Sequence, residues 1–247
     1  MELRDRRSLE GVYSVRQSAG FIMNYRYAEE RMMRMMGGWI ALTPEIPVKL
    51  EMARQVYECA LHADALGKRL GELRSQAQFS RPPNEAFVTF MNAIEDKEQW
   101  EDTIERLTGI FRVLKPHLMA HYSVHVGAAN PVYEPPTLRI LAHLVDDEKR
   151  HIERGLVLLE RLLDTREKHR RATDWQAQLE DLVERTGRNQ NRPLLAKDSR
   201  KILKSLLLQR EKLYLEIADL IYDTSSGNIV EIAQKILVEL KEKKYFN

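Results

Sequence analysis

The sequence predicts an all-α protein built on an antiparallel four-helix bundle, and three observations carry that prediction. Glycine is scarce, with 11 in 247 residues. Four long stretches repeat apolar residues at helical rather than strand spacing. Breaks rich in turn residues separate them, at "GGW" with Pro44, at "SRPPNEA" and at "GAANPVYEPP". Short breaks between long amphipathic helices favour antiparallel neighbours around one core.

The first helix is expected over Ala19–Met36, with Phe21, Tyr25, Ala28 and Met32 as its buried stripe. A second is expected over Pro47–Arg74, where Leu50, Ala53, Val56, Ala60, Leu61, Ala65 and Leu70 trace an apolar face. The third spans Glu85–His125 with a break near Pro116, because proline removes a backbone donor and crowds the preceding turn. The fourth runs over Thr137–Leu163 and buries Leu138, Leu141, Leu144, Val145, Ile152, Leu156 and Leu159. A short helix over Trp175–Arg185 follows, and the polar "TGRNQNRPLLAKDS" reads as a linker. Two further helices are expected over Ser199–Tyr222 and Asn228–Lys243, the last opened by a capping box of Asn228 and Glu231. The expected organisation is an N-terminal extension (1–18), a bundle (19–165) and a C-terminal helical extension (166–247). That extension either packs on the bundle or supplies a homodimer contact.

Composition narrows the function classes. Hydrophobic residues make up 43% of the chain, enough for a packed core, while charged residues make up 31% and nearly cancel at +2. So small an excess gives no argument for nucleic acid, which requires a concentrated basic face. The single cysteine, Cys59, excludes an intrachain disulfide and fits a reducing compartment. The N-terminal "MELRDRRSLEG" lacks the apolar run of a secretory signal, and no apolar run approaches a membrane span. A cytoplasmic protein without membrane or nucleic-acid partners is expected.

The chemistry-bearing residues concentrate on the helices. Glu148 and His151 are three apart, about 60° around a helix, so both can address one volume between helices. Asp147 lies four after His143 and can orient a ligand or face water. On the second helix Glu58 and His62 are four apart, about 40° around. On the first, Glu29 sits nearer the buried stripe than Glu30. Carboxylates and imidazoles together suit iron, manganese or zinc; solvent-edge carboxylates and hydrogen-bonded core histidines are the alternative. The third helix offers Glu105 and a ladder of His117, His121 and His125. Counting back from the loop at Pro135 sets Glu148 across from about Val113, between Glu105 and His117 and aligned with neither.

Other features are plainer. Met23, Met32, Met33, Met35 and Met36 read as adaptable packing, or as the lining of an apolar pocket. "GGW" lacks the pattern of a phosphate-binding loop. The basic run Arg161, Arg166, Lys168, His169, Arg170 and Arg171 reads as a solvated helix end, with an anionic partner as the alternative.

With Glu29, Glu58, His62, Glu148 and His151 assembled, the sequence resembles the ferritin-like superfamily. More narrowly, it looks like bacterial ferritin-like proteins through "YRYAEERMM", "YECALHADALGKRLGEL" and "EPPTLRILAHLVDDEKRH", over about Ser18–Leu163. The resemblance implies a bundle holding a mono- or dinuclear iron or manganese centre on those five residues. Glu105, His117, His143 and Asp147 would then be further or supporting ligands, and Tyr25 and Tyr57 would line the reacting volume. It also implies an oxidase or oxygenase acting on a small substrate, with no nucleotide cofactor. The alternative is a non-catalytic interaction or small-ligand-binding protein. The glutamate–histidine spacing of four on the second helix departs from the family's spacing of three.

Overall fold

The computed structural model describes residues 13–130 and 132–188. Its secondary structure over these residues is entirely helical. Helix α1 spans Val15–Leu42, beginning earlier and ending later than the sequence suggested. Ser14 caps it: the Gln17 amide donates to the Ser14 hydroxyl, and the Gln17 side chain accepts from the Ser14 amide at 2.9 Å. The glycine pair does not stop the helix, because Trp39 beyond it is buried and ties that last turn to the core. Thr43 closes the helix by donating its amide to the Trp39 carbonyl at 2.9 Å.

Helix α2 spans Ile46–Glu72, with Pro47 in the first turn where a missing amide costs nothing. Its buried side is Val48, Met52, Gln55, Cys59, His62, Leu66 and Leu70. The stripe read from sequence is therefore mostly the wrong one, since Leu50, Ala53 and Leu61 face outward. Two apolar faces exist on this helix, and periodicity alone could not say which meets the core.

The expected third rod is broken, but not at Pro116. Helix α3 spans Glu85–Glu95, capped by the Asn84 side chain accepting from the Phe87 amide at 2.8 Å. A turn over 96–102 follows, then α4 over Thr103–Leu107, a π-helical stretch over Thr108–Leu114, and α5 over Lys115–Ala128. The turn forms there because buried Arg106 satisfies its carbonyls, donating to Lys97 O at 2.6 Å and Gln99 O at 2.5 Å. Pro116 falls in the first turn of α5. The π-helical stretch feeds it directly, so the helical path continues through the proline.

Helix α6 spans Pro135–Leu162 and α7 spans Arg166–Arg188. Helix α1 packs along α2, α6 against α2 and α5, and α7 against α3 and the π-helical stretch. Helix α7 is longer than the expected short helix and is anchored by Trp175, whose indole donates to Glu105 O at 3.1 Å. Gly155 on α6 allows the close approach of Phe111: a Cβ there would lie 2.2 Å from the ring.

The all-α class stands, while the finer arrangement of four continuous ferritin-like helices does not. The third rod is segmented, and a further helix packs on its first segment. By compactness the chain divides into residues 1–206 and 207–247. Thr186–Arg188, the start of the stretch read as a linker, belong to α7; the rest of that stretch and the helices expected over Ser199–Tyr222 and Asn228–Lys243 lie outside the described residues. Among the described residues no helix is long and apolar enough to cross a membrane.

Candidate functional site

Helices α1, α2, α5 and α6 bring a set of ionisable side chains into the interior. Glu29, His62, Lys115, Asp147, Glu148 and His151 are all buried, and Glu58 lies at the edge. Lys115 stands at the centre. Its ammonium lies 2.9 Å from each oxygen of Glu148 and 3.1 Å from His151 Nδ1. An ammonium only donates, so His151 accepts at Nδ1, and its Nε2–H donates to Glu58.

His62 bridges two carboxylates, Nδ1 to Glu29 at 3.4 Å and Nε2 to Asp147 at 2.9 Å. The Tyr122 hydroxyl donates to the other oxygen of Glu29 at 2.8 Å. Arg150 pairs with Asp147, and exposed His143 lies 3.5 Å from the same carboxylate.

Electrostatics follow from this geometry. Burial works to lower the His62 pKa, but the charge and hydrogen bond of Glu29, with the Asp147 bond, push it up to about 9. His62 is therefore an imidazolium at neutral pH and donates from both nitrogens. Burial opposes ionisation of Glu148, yet the Lys115 ammonium holds its carboxyl below the usual range. Burial likewise opposes the charge on Lys115, and Glu148 outweighs it, raising the ammonium's pKa. Desolvation pushes the Cys59 thiol well up, and Tyr122 rises by burial and then by Glu29. Neither supplies an anionic nucleophile at neutral pH.

The five residues expected as metal ligands are thus brought together, with a lysine among them. Glu29, His62 and Glu148 each offer an atom within 4.8 Å of the others. Both Glu148 oxygens, however, already accept from Lys115, and both His62 nitrogens are engaged with carboxylates. The cation in this cluster is an ammonium supplied by the chain, so the donor set present does not fit a resident metal ion.

The remaining candidates scatter. Glu105 sits with Arg171 at 2.9 Å, away from the cluster. His117 packs near Phe87 and His121, their ring centroids 6.3 and 4.5 Å away. Tyr25 is buried against Tyr122 and donates to the His121 carbonyl at 3.4 Å. Tyr57 is 65% exposed on the outward side of α2 and lines no interior volume. The sequence reading missed Lys115 and Tyr122, having sought a carboxylate on the third helix. The register count placed the partner of Glu148 near Val113, two residues from Lys115, and was the signal that pointed to it.

Comparison with known proteins changes the functional frame. Residues 155–241 match the shikimate kinase family. The chain is 46% identical to the shikimate kinase of Bordetella pertussis over 71 residues, 28% of this chain and 34% of that protein. It is 37% identical to that of Bordetella avium over 107 residues, 42% of this chain and 44% of that protein. It is 38% identical to that of Francisella philomiragia over 69 residues, 28% and 39% of the two chains. No solved structure matches. The chain spans between a third and under half of the length of these relatives.

This similarity overturns the ferritin-like resemblance and the iron- or manganese-dependent oxidase or oxygenase it implied. The alternative of a non-catalytic ferritin-like protein falls with it. It also corrects the expectation of no nucleotide cofactor, since a kinase takes its phosphoryl group from a nucleotide. The stretch read as a linker, "TGRNQNRPLLAKDS", lies inside the matched segment.

Proposed function

We propose that this chain takes part in ATP-dependent phosphoryl transfer of the shikimate-kinase type, through residues 155–241. The observation that carries the reading is the 46% identity over 71 residues to a shikimate kinase. The matched segment also has suitable chemistry. Arg188, Arg192, Lys197, Arg200, Lys201, Lys204, Arg210 and Lys212 stand against only Asp198 and Glu211 in that stretch. Guanidinium groups pair with phosphate oxygens in bidentate fashion, and phosphoryl transfer depends chiefly on positioning and charge neutralisation. In the reaction the γ-phosphoryl leaves ATP for a hydroxyl of shikimate, the hydroxyl proton is released, and ADP departs.

The G-x-x-x-x-G-K-[ST] pattern that cradles nucleotide phosphates does not occur in the 247 residues. The sequence-based division at residue 165 is retained as part of the proposal, with an N-terminal helical region carrying the kinase-like segment. The network of Glu29, Glu58, His62, Glu148 and His151 around Lys115 then serves to fix helix register. Two chains are proposed to associate.

Calorimetric titration of the purified chain with ATP and with shikimate tests the reading. Saturable binding of at least one ligand is expected, weakened tenfold or more (about 1.4 kcal/mol) when Arg192→Met and Arg200→Met are combined. Absence of binding of both ligands at millimolar concentration overturns it.

A further inference from the structure

We propose that the outward face of α2 is the interface with a second copy of this chain. Helix α2 carries apolar residues on two opposite sides. One faces the core; the other presents Ile46, Leu50, Tyr57 and Leu61, each between 50% and 65% exposed. At about 100° per residue these four fall within about 60° of one another, roughly opposite Val48, Cys59 and Leu66 of the core. A helix apolar on two opposite sides is suited to lie between two layers, and the second layer here is another molecule.

The spacing of the stripe identifies the occupant. Ile46 to Leu50 is four residues, Leu50 to Tyr57 is seven, and Tyr57 to Leu61 is four. The pattern reads the same in both directions about a centre between Ala53 and Arg54. An antiparallel copy related by a two-fold axis at that centre sets Ile46 against Leu61 and Leu50 against Tyr57, each contact made twice. That self-complementarity is what an isologous dimer requires. The exposed small side chain of Ala53 at the centre lets the two helices approach closely.

Alongside, α2 and α6 form a groove whose apolar lining is Pro47, Leu50, Val157 and Leu158, bordered by Glu51, Arg54, Glu153 and Arg154, and Val157 is 50% exposed. Tyr57 of the second copy lies opposite Leu50 and is placed to fill this groove, as a central aromatic anchor commonly does. Of the bordering charges, Arg54 is already paired with Glu51. The five large apolar side chains expose on the order of 500 Å² per copy, and with their neighbours they approach the roughly 800 Å² per partner of a stable interface.

Light scattering after gel filtration of the full chain, at micromolar concentration, tests this. A mass of twice 28.9 kDa is expected. Tyr57→Glu should shift the chain to the monomer mass with an unchanged far-ultraviolet circular dichroism spectrum. Trp100→Glu, which alters an equally exposed aromatic elsewhere, should leave the dimer intact. Ala53→Cys, beside the proposed axis, should form a disulfide-linked dimer under mild oxidation, because native Cys59 is buried. A monomeric parent chain, whose stripe is then covered by something other than a second copy, overturns the proposal. So does a dimer that survives Tyr57→Glu and does not cross-link through Ala53→Cys.

Discussion

The Lys115 ammonium lies 2.9 Å from both oxygens of Glu148, and neither side chain is reached by solvent. A buried pair of this kind is costly to break from one side, because the surviving charge has lost both water and partner. Lys115→Met should therefore destabilise the fold by about 3–5 kcal/mol. Lys115→Met combined with Glu148→Gln should recover a large part of that loss. Urea midpoints of the parent, the single and the double variants measure both effects; a single variant as stable as the parent contradicts the pairing.

The raised pKa of His62 gives stability a defined dependence on alkaline pH. The group is protonated in the folded chain up to about 9 and, unfolded, only up to about 6.5. Its contribution is fully present below the unfolded value and is lost as pH rises through the folded one. The loss amounts to about 3 kcal/mol between those limits. His62→Gln should flatten the fall in stability between about pH 6 and about pH 10. An equally steep slope in that variant would assign the effect to other groups.

Acid acts through the opposite sign. The carboxyls of Glu148 and Asp147 titrate below their ordinary values in the folded chain. For Glu148 the Lys115 ammonium overrides burial; for Asp147 hydrogen bonds from His62 and Arg150 do so. Their stabilisation is present above the ordinary carboxylate range and is lost as pH falls through the folded values. Glu148→Gln should reduce the number of protons taken up on acid unfolding, read from the pH dependence of the urea midpoint.

Gly155 offers a steric test. A methyl group there would meet the Phe111 ring at 2.2 Å, so Gly155→Ala must displace α6 from the π-helical stretch. A loss of about 1–3 kcal/mol is expected, partly restored when Phe111→Leu makes room. Thermal unfolding of the two variants distinguishes this from a general helix-propensity gain, which would raise the midpoint instead.

Tyr122 and Tyr57 should behave oppositely. Removing the buried hydroxyl with Tyr122→Phe deprives Glu29 of its 2.8 Å donor and should cost about 1–3 kcal/mol. Tyr57→Phe, on an exposed ring, should change the stability of the isolated fold by less than about 0.5 kcal/mol. Equal losses would place Tyr57 in the interior after all.

By itself the sequence determined the helical class and the approximate positions of the helices now seen over 15–42, 46–72 and 135–162. Periodicity and turn residues are local signals, and they suffice for that. It also singled out Glu29, Glu58, His62, Glu148 and His151 as residues able to address one interior volume, with solvent-edge and core roles left open; their convergence is seen only in the folded chain. Tertiary structure decided what stands among them. Whether Leu50 or Met52 faced the core could not be read from a helix apolar on both sides. The turn around Arg106 and the π-helical stretch changed the phase of the third rod, and with it the position of Lys115. That lysine turned an apparent ligand set into a neutralised charge network, because its ammonium reaches across from another helix. The register count across the bundle reached within two residues of Lys115, and only the packed structure showed which side chain met Glu148.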